Sequence, residues 1–267
     1  MSTPSHEVDS SVPHSARVWD YWLGGKENYP ADREMGDQIA QVMPSIIDMA
    51  RHDRGFLRRT VGHMVEKEGV RQFLDIGTGL PTQDNTHEVA QRVAPECKVV
   101  YVDNDPLVLA HAHALLTGSP EGVTNYLHAD LNDPEGILDG ARRTLDLTRP
   151  VAVMLLGIVH FIADLDEARA IIGTLMDACP PGSFLAVSHA TDAADGEPMR
   201  RAVEDWNAGG AKPPLTLRSP EQIATLFEGL EVLEPGVVST SRWRPDPDPF
   251  GEAPLVGHWC ALARKPS

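Results

Sequence analysis

Cysteine is scarce in this chain: Cys97, Cys179 and Cys260 are its three, far apart and without a Cys-x-x-Cys pair. An odd number so spaced suits a reducing compartment and argues against a disulfide framework or a thiolate zinc site. They read as small buried hydrophobes. Long apolar runs are missing too. The longest, Val151 to Ala163, is interrupted by His160 and falls short of the roughly 20 residues that a bilayer-spanning helix needs. Met1 to Ala16 is polar and carries Glu7 and Asp9 where a secretory leader has a basic segment followed by an apolar one, so a cytoplasmic protein is expected. Basic charge is the third shortage. Against 39 acidic residues stand 23 lysines and arginines, a formal charge of −16. That balance opposes nonspecific binding to nucleic acid or anionic membrane and favours a small-molecule partner.

What is present is enough apolar residue, 42% of 267, to bury the core of one α/β domain. From Phe73 onward short apolar runs alternate with amphipathic segments, the pattern of βαβ units building a parallel sheet. Strands are predicted at Gln72–Ile76, Lys98–Val102, Thr124–His128, Val151–Leu156, Ser183–Ser188, Glu231–Val238 and His258–Ala263. Between them lie helix signals. Asp105 supplies a capping oxygen ahead of Pro106 and Gly118 can close the turn, which predicts a helix over Leu107–Thr117. Asp164 with Glu167 resembles a capping box, and Leu165, Ala168, Ile172 and Leu175 follow at helical spacing. Ser219-Pro220-Glu221-Gln222 repeats the start signal. Two regions depart from the alternation. Val18 to Gly69 holds Trp19, Tyr21, Trp22 and Tyr29 around a Gly24-Gly25 turn and reads as a helical cap, so residues 1–69 are taken as an N-terminal extension of the domain formed by 70–267. Arg242 to Pro254 holds four prolines, which suit neither a helix interior nor a central strand. It reads as a loop.

The residues that carry chemistry sit at strand ends. Asp75-Ile76-Gly77-Thr78-Gly79 follows the first strand, where glycines let the backbone approach a ligand closely. A dinucleotide fingerprint would place a third glycine where Thr82 stands. Asp103 lies 24 residues after Gly79, near the roughly 20-residue offset at which a carboxylate meets ribose hydroxyls. Asn104 would flank the same nucleoside. Asp130 and Leu131, after the third strand, offer an acceptor for an exocyclic amine and an apolar surface for a ring.

Taken together, Asp75-Ile76-Gly77-Thr78-Gly79-Leu80-Pro81-Thr82, Tyr101-Val102-Asp103-Asn104-Asp105-Pro106, His128-Ala129-Asp130, Leu155-Leu156-Gly157-Ile158-Val159-His160-Phe161 and the opening Ala16-Arg17-Val18-Trp19-Asp20-Tyr21-Trp22-Leu23-Gly24-Gly25-Lys26-Glu27-Asn28-Tyr29 resemble the bacterial S-adenosyl methyltransferases long catalogued as a domain of unknown function. The resemblance covers nearly the whole chain. It implies the Rossmann-like class I methyltransferase fold, a seven-stranded mostly parallel sheet with the last strand antiparallel and helices on both faces. It also implies S-adenosyl-L-methionine as cofactor, with Gly157 added to the residues near it. It supplies no acceptor.

Methyl transfer from a sulfonium is an in-line displacement that chiefly needs alignment and exclusion of water. His160, just past the fourth strand, is the best-placed base, with a packed histidine as the alternative. His87 comes second. His87-Glu88 is no zinc-protease motif because Gln91 occupies the second histidine position, and His111 and His113 are too close in a helix to share a metal. No metal is expected. Asn28 and Tyr29, with Tyr21 and Trp22, are candidates to fold over the cofactor. Arg54 and Arg58 share a helix face, with Arg51 and Arg59 close by, and are candidates for a carboxylate. Beside a small-molecule methyltransferase stand two other readings: a non-catalytic S-adenosylmethionine sensor, and a nicotinamide oxidoreductase, disfavoured by the missing glycine and by the lack of a Tyr-x-x-x-Lys pair.

Overall fold

The computed structural model describes residues 9–81, 84–105, 107–108, 119–247 and 251–267. Its apolar runs form one sheet from β1 (Gln72–Ile76), β2 (Lys98–Asp103), β3 (Val123–His128), β4 (Ala152–Leu156), β5 (Phe184–Ala190), β6 (Glu231–Val232), β7 (Val238–Ser239) and β8 (His258–Arg264). The order is β3-β2-β1-β4-β5-β8-β6, with β7 also paired to β8. The first five strands are parallel. β8 runs antiparallel to β5, β6 and β7, which makes it the one reversed strand among the described residues. The single strand expected over Glu231–Val238 is two short ones. Pro235 lacks an N–H and Gly236 turns the chain at φ +88, so pairing stops between them.

Helices cover both faces. α1 (Ser15–Trp22), α2 (Pro30–Val42) and α3 (Ile46–Glu66) precede β1; α4 (Thr86–Val93) follows it. After β3 come α5 (Pro134–Ala141), a 3-10 turn at Val159–Phe161 beyond β4, α6 (Leu165–Asp177), α7 (Glu197–Ala208) beyond β5, and α8 (Pro220–Thr225). Of the predicted start signals, Ser219–Gln222 forms the full reciprocal cap and Asp164 caps its helix without a return bond from Glu167 among the described residues. Asp164 accepts from the Glu167 N–H at 2.9 Å, and Ser219 and Gln222 cap each other's backbone. Asp105 accepts from the Leu107 N–H at 2.9 Å. The rest of the helix expected there, with His111 and His113, lies outside the described residues. No described helix is long and apolar enough to cross a membrane.

Alternation along the strands divides the core. Leu74, Ile76, Val100 and Val153 pack with α5, α6 and α8, while Phe73, Val99, Tyr101 and Met154 pack with α3 and α4. A third cluster is separate. Val18, Ile39, Met49, Met199, Ala202 and Trp206 bring α1, α2, the start of α3 and α7 together over Ala190 and Val256. Ala190 ends β5 and Val256 just precedes the reversed β8, so this cluster caps the edge where the parallel strands finish. A buried ion pair, Arg17 Nε to Asp32 Oδ2 at 3.0 Å, ties α1 to α2.

Arg242 to Pro254 is a loop where described, as expected. Trp243 anchors it: fully buried, it meets Phe56 edge-on at 5.3 Å. Arg59 donates to the carbonyls of Trp243 (2.8 Å) and Thr240 (2.7 Å).

Candidate active site

A cavity opens where the parallel strands end, between the sheet and the cap. Gly77 and Gly79 carry the chain away from β1 at φ +75 and +63, values that favour glycine. A Cβ on Gly77 would stand 2.6 Å from Ile158 Cγ1, so the loop after β4 packs directly on bare backbone. Asp103 at the end of β2 fastens the turn: Oδ2 accepts from the Gly79 N–H at 2.8 Å and Oδ1 from the Asp105 N–H at 2.9 Å. Burial raises its pKa above the ordinary carboxylate value, opposed by those two N–H bonds. Asp75, buried at the end of β1, accepts from Thr86 Oγ1 at 2.6 Å. Burial pushes its pKa up to about 6; the Thr86 hydroxyl and Arg54 pull it back, and Asp103 adds to the rise.

The structure brings Asp75, Gly77, Thr78, Gly79, Asp103 and Asn104 into the wall of this one cavity. Gly157, His160, Trp22 and Arg54 line it as well. Four other candidates stand behind the wall. Asp130 accepts from Asn104 Nδ2 at 2.8 Å, and Leu131 is buried in the core. Asn28 Nδ2 donates to Asp20 Oδ2 at 2.9 Å, and it is Asp20 that lines the cavity. Tyr29 caps α2 and packs under the Arg17 guanidinium, 5.3 Å from its ring centre. Tyr21 is tied to Asp37 at 2.7 Å. His87 faces the sheet, its Nδ1 2.8 Å from the Tyr101 hydroxyl. Of the arginines, Arg51 pairs with Asp48, Arg58 with Asp246, and Arg59 pins the proline-rich loop.

Past β4 two histidines, His160 and His258, line the wall, and His189 is buried behind them. His160 lies with its ring centre 5.6 Å from those of His189 and His258. His189 donates from Nδ1 to the Ala190 carbonyl (2.8 Å) and accepts at Nε2 from Arg218 Nη1 (2.7 Å), which fixes its tautomer. Burial, against the Ala190 bond and with help from Arg218 and His258, pushes its pKa down to about 3. His160 is held well below the histidine range, first by burial and then by His258, His189 and Arg218. That favours the neutral ring, and its buried Nδ1 has no hydrogen-bond partner among the described residues. Arg218 also donates to the carbonyls of Val159 (3.1 Å) and Ile162 (2.6 Å), clamping the loop that carries His160. No group of His, Cys, Asp or Glu among the described residues is arranged to hold a metal ion.

Sequence reasoning missed Asp53 and His258, both in the cavity wall and joined at 3.1 Å. They are 205 residues apart and belong to no motif, so no local pattern pointed to the pair. Trp19 was seen only as one of several aromatics; its ring packs 5.4 Å from His258.

A five-strand parallel sheet continued by one reversed strand, with a cavity over glycine and acidic strand ends, defines a Rossmann-like methyltransferase. The family follows from direct comparison: residues 1–266 match the model of the S-adenosyl methyltransferase family, and the chain belongs to it. A DUF574 family protein from Streptomyces avermitilis is 44% identical over 97% of this chain and 99% of its own, with a TM-score of 0.91. A protein of Thermobifida fusca described as a candidate methyltransferase is 38% identical over 100% of both chains, with a TM-score of 0.88. Human N-acetylserotonin methyltransferase, solved in complex with SAM, matches at 14% identity and a TM-score of 0.51 over 88% of this chain and 57% of its own, a likeness of fold alone. No curated protein matches the chain.

The chain is therefore a methyltransferase with S-adenosylmethionine as cofactor. The residues present fit that group. Two side-chain-free glycines give close backbone approach, Asp103 offers acceptors to a diol, and Asp20, Asp75 and Asp103 together set a negative wall suited to a cationic sulfonium.

Proposed function

We propose that the chain methylates a small, largely apolar molecule that sits beneath the N-terminal helices. One observation carries this reading. The cavity that starts at the glycine turn is walled on its far side by Trp19, Ile39, Met199 and Trp206, apolar residues of α1, α2 and α7. Such a wall binds apolar surface and keeps water from the transfer. The net charge of −16 argues against nucleic acid as acceptor.

S-adenosylmethionine, when bound, supplies an electrophilic methyl carbon on its sulfonium. The chain's residues do the rest. In this reading Asp103 and Asn104 hold the ribose, with Asp130 orienting Asn104 from behind and Leu131 supporting that loop. Asp75, Gly77, Thr78 and Gly79 receive the methionine part, and Gly157 leaves room for close approach. Asn28 and Tyr29 act at one remove, Asn28 by holding Asp20 and Tyr29 by capping α2. Residues 1–69 serve as the cap of the same domain. His160, which lines the cavity, offers the acceptor a hydrogen bond. Calorimetry with S-adenosylhomocysteine and NAD, then transfer from methyl-labelled cofactor to a set of apolar acceptors, tests the reading. Binding of S-adenosylhomocysteine alone and label on an apolar acceptor are expected. Label going only to polar or polymeric acceptors would overturn it.

A further inference from the structure

We propose that His258, held by Asp53, is the catalytic residue that takes the proton from an apolar phenol, so that the reaction is methylation of a phenolic oxygen. This rests on the acceptor cavity described above.

The pair is built from opposite ends of the chain. Asp53 lies on α3 and is 5% exposed; His258 opens β8 and is 1% exposed. Asp53 Oδ1 stands 3.1 Å from His258 Nδ1. A carboxylate there holds the imidazole proton on Nδ1 and leaves the lone pair on Nε2, which has no hydrogen-bond partner among the described residues. Gly157, at φ +62, passes beside the ring. A Cβ at that position would come within 3.6 Å of His258 Cε1 and 3.9 Å of His160 Cε1, so both rings converge on bare backbone at the end of β4.

The surroundings select among bases. His160 and His189 are neutral rings of depressed basicity, and Arg218 is bound to His189 rather than to His258. The carboxylate beside His258 is Asp53, so the imidazolium formed there has a charge partner that His160 lacks.

The acceptor chemistry follows from the same wall. Asp20, Asp53, Asp75 and Asp103 all line the cavity and disfavour an anionic acceptor. A base in that wall serves an acceptor that must lose a proton, and a neutral hydroxyl on an apolar body is one. A phenol ionises near pH 10, which is within reach of a positioned base. An aliphatic hydroxyl, close to water at about 15.7, is not. Trp19, Trp22 and Trp206 give a flat ring aromatic neighbours. In the step, the phenol oxygen forms its bond to the methyl carbon and the carbon–sulfur bond breaks with its electron pair left on sulfur. The hydroxyl proton ends on His258 Nε2 and passes to solvent after release.

Two measurements test this on the full chain with S-adenosylhomocysteine or labelled S-adenosylmethionine. Nitrogen NMR of histidine-labelled protein is expected to show His258 as the Nδ1–H tautomer, lost in Asp53→Ala; an Nε2–H tautomer in the wild type overturns the proposal. A matched panel of apolar phenols, anilines and aliphatic alcohols is expected to take label on phenol oxygen. His258→Ala should then lower kcat by about 100-fold or more, keep S-adenosylhomocysteine affinity within about threefold, and regain turnover with added imidazole. His258→Gln serves the same test if the alanine variant does not fold. Label on anilines alone, or none on any phenol while S-adenosylhomocysteine still binds, overturns this proposal and leaves the cofactor site standing. Failure of the wild type to bind S-adenosylhomocysteine overturns the site itself.

Discussion

Replacing Asp75 by asparagine removes a buried carboxyl whose pKa burial has raised from 3.8 to about 6. Because the folded state holds this proton more tightly than the unfolded chain, the carboxyl does not weaken the fold below pH 3.8. As pH rises from there, the unfolded chain releases its proton first and folding loses ground until the folded group ionises as well, near pH 6. The full loss is about 3 kcal/mol, and roughly 2 kcal/mol of it accrues between about pH 4.5 and about pH 7. His160 and His189 act with the opposite sign. Held neutral by burial, they let the unfolded chain take up protons as pH falls below 6.5, so their contribution is lost toward acid. The wild-type profile mixes these contributions, but the difference between wild type and Asp75→Asn cancels the histidines. The asparagine oxygen can still accept from Thr86 Oγ1, so the bond at 2.6 Å is kept. Urea unfolding at the two pH values is the assay. The variant should gain about 2 kcal/mol on the wild type from the lower to the higher pH. A difference that does not change with pH refutes the burial of an ionisable Asp75.

Three further outcomes are expected. Asp103→Ala removes the acceptor of the Gly79 and Asp105 N–H groups and, on the reading proposed, a ribose contact, and should weaken S-adenosylhomocysteine binding by about 1–3 kcal/mol in calorimetry; unchanged affinity rejects the ribose role. Gly77→Ala puts a Cβ on Ile158 in a left-handed backbone, so thermal unfolding should show a loss of about 1–3 kcal/mol; a wild-type melting curve refutes the close packing of the two loops. His160→Ala should spare S-adenosylhomocysteine binding and lower methyl transfer, and full activity would leave the ring as packing.

The sheet was legible because its central strands are buried on both faces and so read as nearly unbroken apolar runs. β5 was read short at Ser188 because its last two positions, His189 and Ala190, join the sheet through pairing with Trp259 and His258. Hydropathy along one segment does not contain a partner's register. The strand expected across Pro235 failed for the opposite reason: the breaker was visible, and the apolar residues on either side outweighed it. The offset from Gly79 singles out Asp103, which lines the cavity. Its grip on the Gly79 N–H was not legible, since that bond depends on how the turn folds back over β2.

The cap was harder to read because aromatic content does not say which way a side chain points. Gly24 at φ +80 turns the chain after α1, so Trp19 and Trp22 stay on the cavity side while Tyr29 goes to the start of α2. The influence of Asn28 on the cavity then runs through Asp20. The same folding explains why the Asp53–His258 pair left no trace in the sequence. A motif records residues that one loop presents together, whereas this pair forms only when α3, from before the first strand, packs against the last strand of the sheet. A boundary at residue 69 therefore separates parts that share a core and, on the reading proposed here, a catalytic pair. On that reading the described residues ahead of β1 wall the cavity through Trp19 and Trp22 and, through Asp53, also supply part of its chemistry.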